Sequence, residues 1–161
     1  MTDTTEITVE PGSSQVRMTR EFDAPRELVF RAHTDPDLFA QWVGPRRLTT
    51  TIRRFEARDG GVWSYVATDR DGTEYGFHGV FHGDPTPDRI VQTFEWEGAP
   101  GHVSLGIVEL TEVDGRTRLT STSVFSSVED RDAMVESGME YGVREGNERL
   151  DELLAGLRSH A

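Results

Sequence analysis

The feature that most constrains this chain is its C-terminal segment, which reads as one long helix from Glu129 to about Arg158. Advanced by 100° per residue, Val135, Met139, Val143, Gly146, Leu150, Leu153, Leu154 and Leu157 fall on one stripe about 100° wide. Such a helix draws most of its stability from whatever covers the stripe, because helical propensity alone is marginal in water. The stripe is uneven. Its C-terminal half is leucine, suited to sealing against a neighbour. Its N-terminal half offers Met139, Val143 and Gly146, with Gly142 at the edge. An interior glycine costs a helix about 1 kcal/mol against alanine, so small size there needs a reason. Two are available: close backbone packing on a sheet, or space left for a guest between helix and sheet.

The cover has to come from upstream, where alternating runs are cut by turn residues. Gln15 to Phe22 alternates, with Val16, Met18 and Phe22 on one face. Asp23-Ala24-Pro25 and Thr34-Asp35-Pro36 each start a short helix, and Gly44-Pro45 stops the second. Runs at Leu48–Arg58, Val62–Thr68, Thr73–His82, Ile90–Glu97, His102–Val113 and Arg116–Ser126 then form a meander. Its last link is Asp114-Gly115, a two-residue hairpin turn that needs positive φ at both positions. Residues 1–14 read as a flexible extension or an edge strand, and 15–161 as a single domain. The fold class is α+β: a curved antiparallel sheet of about six to seven strands, two short helices and one long C-terminal helix.

Several functions are excluded by what is missing. Without cysteine there is no disulfide framework, thiolate nucleophile or cysteine-ligated metal. The formal charge of −12 opposes nucleic-acid and anionic-membrane binding, since phosphate affinity comes from clustered positive charge. The N-terminus lacks the basic and apolar regions of a secretory signal, and no run approaches the ~18 apolar residues of a membrane span, so a cytoplasmic domain is expected. His78 and His82, four apart on a strand, lie about 13 Å from each other and cannot share a metal. No metal or other cofactor is expected. No Gly-x-Ser-x-Gly elbow occurs, and Ser121 and Ser123, alternating with Leu119 and Phe125, fit a roomy interior better than a catalytic triad.

The aromatic residues carry the stronger signal. Trp63 and Tyr65 share one strand face, Tyr75, Phe77 and Phe81 another, Phe94 and Trp96 a third, and Trp42 ends the second helix. With Met139, Gly142, Val143 and Gly146 they describe an apolar pocket for a small molecule. Arg20 shares the face of Met18 and Phe22, where a buried guanidinium would need a partner or a polar ligand.

Arg20-Glu21-Phe22-Asp23-Ala24-Pro25-Arg26-Glu27-Leu28-Val29-Phe30, Thr34-Asp35-Pro36, Gln41-Trp42-Val43-Gly44-Pro45, Gly60-Gly61-Val62-Trp63, Asp71-Gly72-Thr73-Glu74-Tyr75, Gly79-Val80-Phe81 and Gly138-Met139-Glu140-Tyr141-Gly142 follow one another in order. In that order and spacing they resemble the START-like, or SRPBCC, superfamily, with its helix-grip fold like that of the birch-pollen allergen. The resemblance is closest to the branch of heat-shock-protein-90 ATPase activator homologues. It implies a stress-related family of ligand carriers, cyclases and chaperone cofactors, with no universal catalytic residue. Val43 and Val143 stand where relatives often carry large aromatics. The expected function is non-catalytic binding of an apolar or aromatic molecule by a monomer or homodimer. The alternatives are a chaperone ATPase activator, and a cyclase or hydrolase using Arg20 or a buried carboxylate.

Overall fold

The computed structural model describes residues 4–159. The chain runs β1 (Glu6–Thr8), β2 (Gln15–Phe22), α1 (Arg26–Thr34), α2 (Pro36–Trp42), β3 (Thr49–Phe55), β4 (Val62–Thr68), β5 (Glu74–Val80), β6 (Arg89–Trp96), β7 (Ser104–Val113), β8 (Arg116–Val124), α3 (Val128–Glu136) and α4 (Met139–Ser159). All eight strands form one antiparallel sheet in the order β1-β2-β8-β7-β6-β5-β4-β3. The sequence anticipates six or seven of them; the eighth is β1, three residues long, paired to β2 at the sheet edge.

Local chemistry explains the boundaries. Asp35 caps α2 by accepting from the Asp37 amide, with Pro36 at the first helical position. Asp114 and Gly115 take φ of 53° and 77°, the left-handed pair that turns β7 into β8 without splaying the strands.

The C-terminal helix differs from the sequence reading. It is two helices, broken at Ser137-Gly138. Ser137 is the C-cap of α3, its amide bonded back to Ala133 and Met134, and Gly138 follows at φ 89°. A glycine in that conformation ends a helix by design, because other residues meet their own Cβ there. Val135 therefore belongs to α3, and the α4 stripe begins at Met139.

Two apolar cores fill the concave side. One gathers Phe22, Ala24, Val29, Ala32, Leu110, Leu119, Leu150 and Leu154 beneath α1 and the C-terminal half of α4. The other gathers Trp63, Tyr65, Phe81 and Ile90, with Phe39 and Val43 of the α2 region packed on them.

Candidate functional site

Cross-strand register fixes which side chains face inward. Val16, Met18, Arg20 and Phe22 of β2 stand opposite Ser123, Ser121, Leu119 and Thr117 of β8. Those pair in turn across β7, Ser123 with Gly106, Ser121 with Val108 and Leu119 with Leu110. Gly106 meets Gln92 and Val108 meets Ile90 on β6. Burial is graded along these rows. Leu119, Leu110 and Ile90 are buried, whereas Ser121, Ser123, Gly106 and Gln92 on the same face stay half-buried. The α4 stripe is buried at its middle, with Leu150 and Leu154 0% and 2% exposed, and half-buried towards both ends, at Met139 and Val143 and at Leu153 and Leu157. Among the described residues, none of the Ser121, Ser123 and Gln92 side chains is hydrogen-bonded to protein, and none of their polar atoms is sealed from solvent. Gln92 escapes a reading by residue type, although its parity with Ile90 and Phe94 marks it as inward.

The aromatic expectations divide. Trp63, Tyr65, Phe77 and Phe94 come together as one group: Trp63 stacks on Tyr65 at 5.6 Å and on Phe94 at 5.9 Å, and Phe77 lies 5.2 Å from Tyr65 and 5.4 Å from Phe94. The Trp63 indole N–H reaches across β5 to donate to the Thr93 carbonyl at 3.2 Å. Glycine at position 79 permits this, since a Cβ there would overlap that carbonyl and sit 2.6 Å from Nε1. Phe81 is buried against Phe55, 5.8 Å away at the far end of the group. Tyr75 is half-buried opposite Ala67, and Trp96 is 41% exposed, its ring lying over Gly98. Trp42 donates to the Ala32 carbonyl at 2.9 Å and contacts His33 and Phe39, so it locks α1 to α2.

Three of the expected site residues, Gly142, Gly146 and Arg20, make contacts that hold the fold together. A Cβ on Gly146 would lie 3.3 Å from the Trp42 carbonyl and 3.4 Å from the Gly44 amide, and one on Gly142 3.4 Å from Pro45 Cδ. The small size of the pair lets α4 press on the loop that follows α2. The same helix also holds that loop through Arg149, which donates to the carbonyls of Gln41, Val43, Gly44 and Pro45. Arg20, 2% exposed, is committed to Asp151 through two hydrogen bonds of 2.7 and 2.6 Å and lies over the Phe22 ring. It ties β2 to α4.

Arg53, His78, Glu95 and Glu97 form an exposed cluster on the convex face, and Arg53 and His78 hold the Glu97 carboxyl below its usual range. His102 bonds to Asp130. No group of three metal-ligating side chains occurs among the described residues, and no described helix is long and apolar enough to cross a membrane. The inward face can therefore supply apolar contact and neutral hydrogen bonds.

The model of the family described as "Activator of Hsp90 ATPase homolog 1-like protein" matches residues 23–155. The chain belongs to this activator-homologue family. Its fold is shared with a protein of Rhodobacter sphaeroides, 30% identical, with 94% of this chain and 99% of that one aligned at a TM-score of 0.85. A protein of Arthrobacter aurescens is also 30% identical, covering 94% and 91% at 0.87. The AHSA1 protein of Silicibacter pomeroyi, 22% identical over 88% and 97% at 0.73, shares the fold. No curated protein matches the chain. Within the activator-homologue family, the START-like, helix-grip architecture is the one this chain adopts.

Proposed function

We propose that this member of the family is a non-catalytic binder of a small apolar or aromatic molecule, held in a cleft between the first turns of α4 and the concave sheet face. One observation supports the reading: Met139 and Val143, in the first turns of α4 and on the stripe that Leu150 and Leu154 bury, are themselves only half-buried. An apolar stripe half-covered in the protein alone is a stripe that a guest can finish covering, at about 25 cal/mol for each Å² removed from water. The inward polar groups support binding over catalysis, because Ser121, Ser123 and Gln92 orient a ligand but are not acids or bases near neutral pH.

Native mass spectrometry of freshly purified protein tests this directly, with a co-purified small molecule as the expected result. Val143→Trp should fill the cleft and abolish binding while shifting stability by less than ~1 kcal/mol. Unchanged affinity in that variant rejects the site.

The family description favours a second reading, stimulation of a chaperone ATPase through the acidic surface. Its signature is a salt-sensitive rise in chaperone turnover on adding this protein. No stimulation at saturating concentration rejects it.

A further inference from the structure

Tyr65 is 8% exposed, and among the described residues its hydroxyl has no hydrogen-bond partner. A buried phenol usually finds one. The oxygen is nevertheless not walled in, since no fully buried side-chain oxygen or nitrogen in the described chain lacks a partner. The ring stands on the concave face, opposite Phe77 on β5, stacked on Trp63, with Phe39 of α2 packed edge-on 5.7 Å away. Phe39 and Val43 lie in the same wall that Gly142 and Gly146 of α4 lean on. The hydroxyl thus stands at an aromatic floor with its oxygen not sealed from solvent. Burial pushes its pKa well above the ordinary phenol value, which keeps the proton available for donation across the physiological range.

Resting on the binding function proposed above, we infer that Tyr65 is the specificity-determining donor of the cleft and that its ligand is a neutral ring compound carrying a carbonyl or hydroxyl oxygen. The rings of Trp63, Phe77 and Phe94 supply a surface for a flat partner, and Tyr65 supplies one directed hydrogen bond to its oxygen. An anionic ligand is disfavoured. The arginine on the inward rows of β2 is engaged with Asp151, so a carboxylate would have to compete with that partner or be desolvated unpaired.

The test compares naphthalene, methyl naphthyl ketone and naphthoate on the full chain by titration calorimetry or NMR, in the wild type, Tyr65→Phe and Val143→Trp. The wild type should prefer the ketone over naphthalene and bind naphthoate least. Tyr65→Phe, which keeps the ring and removes only the oxygen, should weaken the ketone about two- to twelve-fold, the range of one neutral hydrogen bond. It should leave naphthalene affinity and the unfolding midpoint unchanged, because among the described residues the hydroxyl has no hydrogen-bond partner. Equal loss for ketone and naphthalene, no preference for the ketone, or tightest binding of naphthoate overturns the assignment to Tyr65. Val143→Trp separates the two levels: if it abolishes binding while Tyr65→Phe does not discriminate, the cleft stands and the donor role fails. If Val143→Trp leaves every affinity intact, or no compound binds, both fail.

Discussion

Gly146 offers the sharpest quantitative test of how α4 is seated, because the same helix contains its own control. Replacing a helical glycine by alanine ordinarily gains about 1 kcal/mol. At Gly156 a Cβ would meet nothing within 4 Å, so the gain should be realised in full. At Gly146 the new methyl meets the Trp42 carbonyl at 3.3 Å and the Gly44 amide at 3.4 Å, and both are backbone. That backbone cannot easily retreat: Gly44 sits at φ 79° and four carbonyls around it are clamped by Arg149. Overpacking of this kind costs about 1–3 kcal/mol. Gly146→Ala should therefore range from neutral to destabilised by about 2 kcal/mol, leaving the two variants about 1–3 kcal/mol apart. With a urea m-value of about 2 kcal/mol/M, their unfolding midpoints should differ by about 0.5–1.5 M, with unchanged slopes. Coincident midpoints, or a higher one for Gly146→Ala, would refute the close approach of α4 to the loop after α2.

Two further perturbations follow from the same physics. Gly79→Ala should cost about 2–4 kcal/mol, because its methyl overlaps the Thr93 carbonyl and evicts the Trp63 indole from its hydrogen bond; tryptophan emission should shift to the red, and an unshifted, equally stable variant would contradict the packing. His33 is held below the ordinary imidazole pKa of about 6.5 by burial, its Nδ1 bonded to the Val29 carbonyl. Between that value and its folded pKa the unfolded chain binds more protons, so stability is fully present above about pH 6.5 and falls as pH drops through this window. Urea midpoints measured from pH 7 to pH 5 should decline less steeply in His33→Gln, and parallel curves would remove His33 as the cause.

The strands were legible because sheet periodicity is local. Val62–Thr68 and Gln15–Phe22 alternate so regularly that sequence and structure agree on both ends, and Asp114-Gly115 announces its turn by the φ values only such residues take easily. Strand parity marked Trp63, Tyr65, Phe77 and Phe94 as candidates, but marked Tyr75 and Trp96 equally, and the structure leaves those two half-buried and exposed. What sequence could not supply was direction around a helix. A helical wheel places Gly146 about 40° from Leu150, yet says nothing about which neighbour lies on that side. The neighbour is the α2 loop. Similarly, Arg20 was visible as an inward cation, but Asp151, 131 residues on, is its partner only because the fold lays α4 across β2. The unpartnered Tyr65 hydroxyl was hidden by composition, since a tyrosine among aromatics looks like core.

Seated this way, α4 resembles a beam on two bearings. On one side Arg144 and Asn147 bond to Thr5 and Asp151 to Arg20; on the other Gly142 and Gly146 rest on the loop at Trp42–Pro45. With Leu150 and Leu154 buried further along, half-buried Met139 and Val143 in the first turns carry less of the work of holding the fold up. Substitutions there can reshape the interior with little loss of stability, which gives this architecture room to change what it accommodates without rebuilding what supports it.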